Sequence, residues 1–175
     1  MIKIQNPLIA VPLKFGLIGG SLSILMFLIT YWVGKNPLID LKFFDLIILP
    51  IFLFFTMKEY RDFRNRGFLQ FWQGMTVGVL NYLIIALLSA FFIFLFLNFI
   101  DNQLVDLYIS DRIEIIDLKK EEMISQMGEE TYNKSRNDVL NTSAFILAFD
   151  DFLKKCLIGL TLTIPIAVIL RRREL

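Results

Sequence analysis

"RDFRNRGFLQFWQGMTVGVLNYLIIALLSAFFIFLFLNFI", Arg61–Ile100, decides the fold. Three arginines fall within six positions, and the 34 positions from Gly67 to Ile100 then carry no charge. A hydrocarbon core about 30 Å thick is crossed by about 20 apolar helical residues, so this run exceeds one crossing and must tilt or project beyond the bilayer. The rest of the chain agrees. Hydrophobic residues make up 56% of it, with 18 Phe among 175 residues, well above the usual share in a soluble domain.

Counting uncharged runs outward from this stretch gives three further candidate spans. Phe15 to Gly34 supplies 20 uncharged positions. Two runs are shorter, at 15 positions each: Phe43 to Met57, interrupted by Asp45, and Cys156 to Leu170. Phe152 and Leu153 extend the last run, with Lys154 and Lys155 snorkelling to the headgroups. The expected fold is an all-α integral membrane protein, one membrane domain over residues 1–175. Its transmembrane helices fall at about 14–34, 43–59, 68–100 and 152–171, with an extracytoplasmic amphipathic helical segment, 101–151, between the third and fourth. The first helix is not expected to be a cleaved signal. Its apolar run is too long for a signal core, and no small-x-small site precedes Tyr31 and Trp32, an interfacial aromatic pair. Cys156 is the only cysteine, so no intrachain disulfide forms and the redox compartment is not readable.

Charge sets the expected orientation. With both termini inside, the cytoplasmic segments carry Lys3, Lys14, Lys58, Arg61, Arg64, Arg66, Arg171, Arg172 and Arg173 against Glu59, Asp62 and Glu174, a net of +6. The opposite face holds the other nine basic residues and fourteen acidic ones, a net of −5. Lys and Arg are therefore tied in number, and density breaks the tie: the cytoplasmic arginines crowd into a short connection and the tail, whereas the others are spread through a long segment that counts for less.

Within that long segment Val105, Ile109, Ile113, Ile116, Met123 and Met127 recur at helical spacing, with Asp106, Glu114, Asp117 and Glu121 on the other side. Arg112, Lys119 and Lys120 lie along or near the apolar stripe, as in an interfacial helix whose bases meet lipid phosphates. Gly128 breaks the pattern before a second polar helix starts at Glu129 and Glu130. The simplest role is an amphipathic hairpin packed on its own bundle; a partner-docking arm is the alternative.

Glycines carry the packing signal. Gly16 and Gly20 form a G-x-x-x-G in the first helix, and Gly74 and Gly78 form another in the third, spacings that let helix backbones approach closely. Both pairs lie towards the cytoplasmic end of helices running in the same direction, so they are candidates to pack on each other. Pro50 and Pro165 are candidate kink sites.

Chemistry is sparse. There is no histidine, which excludes His-based triads, histidine-ligated haem and the usual histidine zinc sites. No Walker loop or dinucleotide fingerprint is present. No catalytic residue, cofactor, metal site or nucleic-acid partner is expected. Asp150 and Asp151 stand four positions before Lys154 and Lys155, giving two helical i,i+4 ion pairs worth about 0.3–0.5 kcal/mol each if exposed. Asp45, Gln73 and Asn81 are the candidate intramembrane polar residues; Asp45 lies at headgroup level near the outer end of its helix. Arg61, Arg64 and Arg66 are first a topological signal and second a candidate headgroup or phosphate contact.

Four stretches in one order, "KFGLIGGSLSILMFLITYWVG", "EYRDFRNRGFLQFWQGMTVGVL", "QMGEE" and a basic tail after the last span, resemble a bacterial family of four-span proteins catalogued as domain of unknown function 4199. The most specific part is Tyr60, Arg61, Gly67, Phe71, Gly74 and Gly78. The resemblance implies a multi-pass protein of the bacterial inner (cytoplasmic) membrane with no established activity. The expected function is a non-catalytic subunit or scaffold that binds lipids, a membrane protein partner or further copies of itself. The alternatives are a small oligomeric transporter using Asp45 or Asn81, and an accessory to polyprenyl-phosphate-linked sugar transfer using the three arginines.

Overall fold

The computed structural model describes residues 6–40 and 42–172, with the side chains of Asp40, Lys42, Phe43, Asp45 and Leu46 left out of the description. Helix α1, Pro7–Trp32, starts where Asn6 accepts a hydrogen bond from the Leu8 N–H at 3.0 Å and Pro7 takes the first helical position. It stops at Gly34, whose φ of +78° is left-handed and therefore suits glycine. A short helix, α2 (Pro37–Asp40), leads into α3, Lys42–Glu59. The chain tightens into a π-helical turn, Tyr60–Arg64, then α4 runs Phe71–Phe99. Helices α5 (Gln103–Leu118), α6 (Lys120–Met127) and α7 (Glu129–Leu140) follow, and α8 covers Ala144–Leu170.

Helix α4 is the hub, packed mainly on α8 and α1, with α3 closing the bundle against α1, α4 and α8. One apolar cluster, including Leu49, Leu53, Met57, Val77, Ile85 and Ala167, fills the half nearest the π-helical turn. A second cluster, around Phe27, Ile93, Phe96, Leu97, Leu104 and Leu147, fills the other. In the second, the Phe27 ring meets Phe92 and Phe96 edge-on at 5.6 and 5.1 Å, and Tyr31 meets Phe96 at 5.0 Å. Helices α1, α4 and α8, at 26, 29 and 27 residues, are long and apolar enough to cross a membrane. The 18-residue α3 is not among these three; it carries Lys42, Asp45, Lys58 and Glu59.

Three helix starts differ from the uncharged runs. Helix α1 begins two turns before residue 14, because Asn6 and Pro7 supply an N-cap that hydropathy does not register. Helix α4 begins at Phe71 rather than near 68, where Gln70 and Gln73 form a reciprocal capping box. Helix α8 begins at Ala144, about two turns ahead of 152, capped by Ser143, whose hydroxyl accepts from the Ile146 N–H at 3.4 Å. The Asp and Lys residues therefore sit inside α8 rather than at its threshold. Helices α3 and α8 run unbroken through Pro50 and Pro165.

The segment after α4 is helical, as its periodicity indicated, but breaks at Lys119 as well as at Gly128, whose φ is +85°. Val105, Ile109, Ile113, Ile116 and Met123 are half-buried and Met127 is exposed. Helices α5 and α7 are joined by a 2.7 Å hydrogen bond from the Tyr132 hydroxyl to Asp117 and by Arg136 at 3.4 Å from the same carboxylate. The Arg112 guanidinium lies over the Tyr108 ring at 5.5 Å and the Lys120 ammonium over Tyr132 at 5.6 Å.

Both glycine pairs lie at helix contacts, against different neighbours. A Cβ at Gly16 or Gly20 would come within 2.7 Å of Ile84 or 2.8 Å of Leu88 on α4. One at Gly74 would stand 3.0 Å from the Ala167 Cβ, and one at Gly78 2.6 Å from Thr163 and Met57. The two pairs do not pack on each other. The glycines of α1 meet α4 beyond Gly78, at Asn81, Ile84 and Leu88, whereas Gly74 and Gly78 face α8 and α3.

Candidate functional site

The basic end of the bundle is built by the π-helical turn, the residues joining it to α4, and the end of α8. Leu69 and Arg172 exchange backbone hydrogen bonds of 2.9 and 3.0 Å, tying the entry to α4 to the exit from α8. Arg66 and Gly67 adopt φ of +54° and +84°, reversing the chain between Arg64 and Phe68. A left-handed arginine is uncommon and costs energy, which neighbouring contacts must offset. Asn65 supplies them: its side-chain N–H groups donate to the Phe68 carbonyl at 2.7 Å and to Gln73 Oε1 at 3.0 Å.

Seven described cations gather here: Lys14, Lys58, Arg61, Arg64, Arg66, Arg171 and Arg172. Two described carboxylates accompany them, and both are engaged. Glu59 accepts from Lys14 at 2.9 Å, and Asp62 accepts from Arg61 Nε at 2.6 Å. The hydrogen bond from Arg61 holds the Asp62 carboxyl below the usual carboxylate range and raises the Arg61 guanidinium. The arginine cluster thus divides. Arg61 is committed to its neighbour, whereas Arg64 and Arg66 have no hydrogen-bond or ion-pair partner among the described residues.

Arg64 and Arg66 line a cavity of about 270 Å³ together with Asn65, Phe68, Gln70 and Gln73. The capping box fixes both glutamines. Gln73 Oε1 accepts from the Gln70 backbone N–H at 3.0 Å, and the Gln70 side chain accepts from the Gln73 backbone and, at 2.5 Å, from the Trp72 indole. Their oxygens are occupied, so both carboxamide NH2 groups remain as donors. Gln73, singled out by sequence as an intramembrane polar residue, serves this cavity and the start of α4. The part that sequence reading missed is Asn65, for which the Asn-Arg-Gly turn signal was available; Gln70, a polar residue of the third run expected to bond between helices, instead caps α4.

The other polar features lie within the bundle. Asn81 is fully buried and its side-chain nitrogen is 3.5 Å from the Pro12 carbonyl on α1. The side chain of Asp45 lies outside the described residues. Lys155, twelfth of the 27 residues of α8, has a side-chain exposure of 0% and donates to Asp151 at 2.5 Å; Ser89 of α4 donates to the other oxygen of that carboxylate at 3.1 Å. The neighbouring Asp150–Lys154 pair is half-exposed. Of two ion pairs that look alike in sequence, one is therefore part of the helix interface and the other is not.

No curated protein and no solved structure matches the chain. The model of a family described as "Protein of unknown function (DUF4199)" matches residues 14–172, an interval opening at the lysine that pairs with Glu59 and closing at the arginine that bridges to Leu69. The interval spans nearly the whole chain, and the protein belongs to the DUF4199 family.

Proposed function

We propose that this membrane protein is a non-catalytic four-span scaffold, with α3 as the fourth crossing, that holds lipids or protein partners through its lateral and basic surfaces. The observation that carries the reading is the distribution of side chains around the bundle. Leu25, Ile51, Phe55, Leu87, Phe91 and Leu157 are exposed along its length, whereas at one end the described cations outnumber the described carboxylates by seven to two. Exposed apolar side chains on helices of this length suit lipid contact. A basic end suits the cytoplasmic side, with its anionic headgroups, which supports a cytoplasmic location for both termini. On this reading α5, α6 and α7 form an extracytoplasmic cap in which Leu107, Ile115 and Leu118 remain exposed for the outer leaflet or a partner. Asn81, closed between α1 and α4, favours a packing role over a place on a transport path.

Cysteine labelling in intact cells tests the crossings. Lys35→Cys and Lys134→Cys are expected to react with an impermeant maleimide from outside, and Phe63→Cys and Arg171→Cys only after permeabilisation. Labelling of Phe63→Cys from outside would remove α3 from the list of spans. Photo-cross-linking from exposed positions such as Phe91 and Leu118 in native membranes then tests the scaffold role: defined lipid or protein adducts are expected, and their absence at every position would count against it.

A further inference from the structure

We propose that the cavity between the Asn65–Phe68 reversal and the first turn of α4 binds a phosphate group, held by the guanidinium groups of Arg64 and Arg66 and the side-chain NH2 groups of Gln70 and Gln73. This deepens the scaffold reading by naming the chemistry of one of its surfaces.

Four facts carry it. Both described carboxylates at this end, Glu59 and Asp62, are engaged by Lys14 and Arg61, so the charge of Arg64 and Arg66 is not neutralised by the described residues. The carboxamide oxygens of Gln70 and Gln73 already accept hydrogen bonds from the N-terminus of α4, from Asn65 and from Trp72, so these side chains offer donors to the cavity. The opening N–H groups of α4 are partly satisfied by this capping box, and the donors proposed for the ligand are side-chain groups. Asn65 braces the reversal that forms one wall of the cavity, through hydrogen bonds to both Phe68 and Gln73.

Donors from four residues on two segments suit a ligand with several oxygens on a tetrahedral centre better than the two coplanar oxygens of a carboxylate. Two guanidinium forks add bidentate geometry and keep their charge at any physiological pH. A volume of about 270 Å³ accommodates a phosphate and a small substituent. The group can belong to a lipid headgroup or to a soluble phosphate compound, and its recognition is the same.

The test uses the full chain in nanodiscs, which expose both faces, so binding does not depend on which end is cytoplasmic and failure here leaves the topology result untouched. In one arm the disc is phosphatidylcholine, and inorganic phosphate and glycerol 3-phosphate are titrated by calorimetry. In the other the disc contains phosphatidylglycerol, and anionic lipid retained on the released protein is counted by native mass spectrometry. Saturable binding at one site per chain is expected in at least one arm; the first arm identifies a soluble ligand and the second a headgroup. The Arg64→Gln/Arg66→Gln pair is expected to weaken it about tenfold or more, and Arg64→Lys/Arg66→Lys, which keeps the charge and loses the fork, by an intermediate factor. An Arg171→Gln/Arg172→Gln pair removes the same charge from the same end and is expected to weaken binding less than about threefold. The lysine pair keeps the topological charge if the glutamine pair fails to fold. No site-specific binding in either arm, equal losses from the two glutamine pairs, or full retention in both variants at 64 and 66 would each overturn the proposal.

Discussion

Lys154 and Lys155 are neighbours in the chain, each paired with an aspartate one turn earlier, but their surroundings differ. Lys154 is half-exposed at 42%, and exposed pairs contribute about 0–1 kcal/mol. Lys155 is fully enclosed and Asp151 is mostly buried, and removing one member of such a pair costs about 3–5 kcal/mol because the carboxylate loses its counter-charge and keeps the Ser89 hydrogen bond alone. Lys155→Met is therefore expected to destabilise the folded bundle by about 3–5 kcal/mol, and Lys154→Met by less than about 1 kcal/mol. Unfolding in mixed micelles measures both, and equal losses would contradict the assignment. The spacing of the two pairs was legible in the sequence; which one turns inward was not, since it depends on how α8 rotates against α3 and α4. Glycines give a second prediction at this scale. A Cβ at Gly159 would lie 2.4 Å from the Tyr82 ring, so Gly159→Ala is expected to cost about 1–3 kcal/mol of overpacking. The same unfolding assay checks it, with Gly34→Ala as a contrast whose penalty comes from its φ of +78° because its Cβ meets nothing.

At the scale of elements, α5 and α7 are joined through a titrating contact. The Tyr132 hydroxyl, with help from Arg136, holds the Asp117 carboxyl below its ordinary value of 3.8, while the same hydrogen bond raises Tyr132. A carboxylate depressed in the folded state adds stability above its unfolded pKa and loses it as the pH falls through the folded one. Amide-exchange protection in α7 is therefore expected to hold above about pH 4, near the unfolded value of an aspartate, and to be lost progressively as the pH falls further, through the lowered pKa of Asp117. In Asp117→Asn that acid-dependent loss should be absent; its persistence would place the sensitivity elsewhere. Long uncharged runs revealed α1 and α4 directly, because a membrane-length helix needs little beyond apolar side chains. The start of α8 stayed hidden because counting stops at a charge, whereas Asp–Lys pairs one turn apart neutralise each other and let the helix continue. The division of the arginine cluster was hidden for a related reason. Adjacent residues do not normally face each other on an α-helix, but Arg61 and Asp62 pair within a π-helical turn.

For the whole molecule, the connection between Leu69 and Arg172 joins residues that are more than half the chain apart. Proline at 172 removes the N–H that donates to the Leu69 carbonyl at 3.0 Å. Arg172→Pro is expected to speed amide exchange at Leu69 and through the last turn of α8 while lowering overall stability by only about 1 kcal/mol, the usual net contribution of one hydrogen bond. Unchanged exchange at Leu69 would show that the two segments hold their positions without the bridge. The connection also has a bearing on biogenesis. Synthesis proceeds from the N-terminus at about 5–20 residues per second. Arg64, Arg66 and Gln73 thus emerge several seconds before the segment that fastens their end of the bundle. Until residue 172 is made, the basic end is an unclosed ring, and during that interval its cations are available to the insertion machinery as well as to lipid.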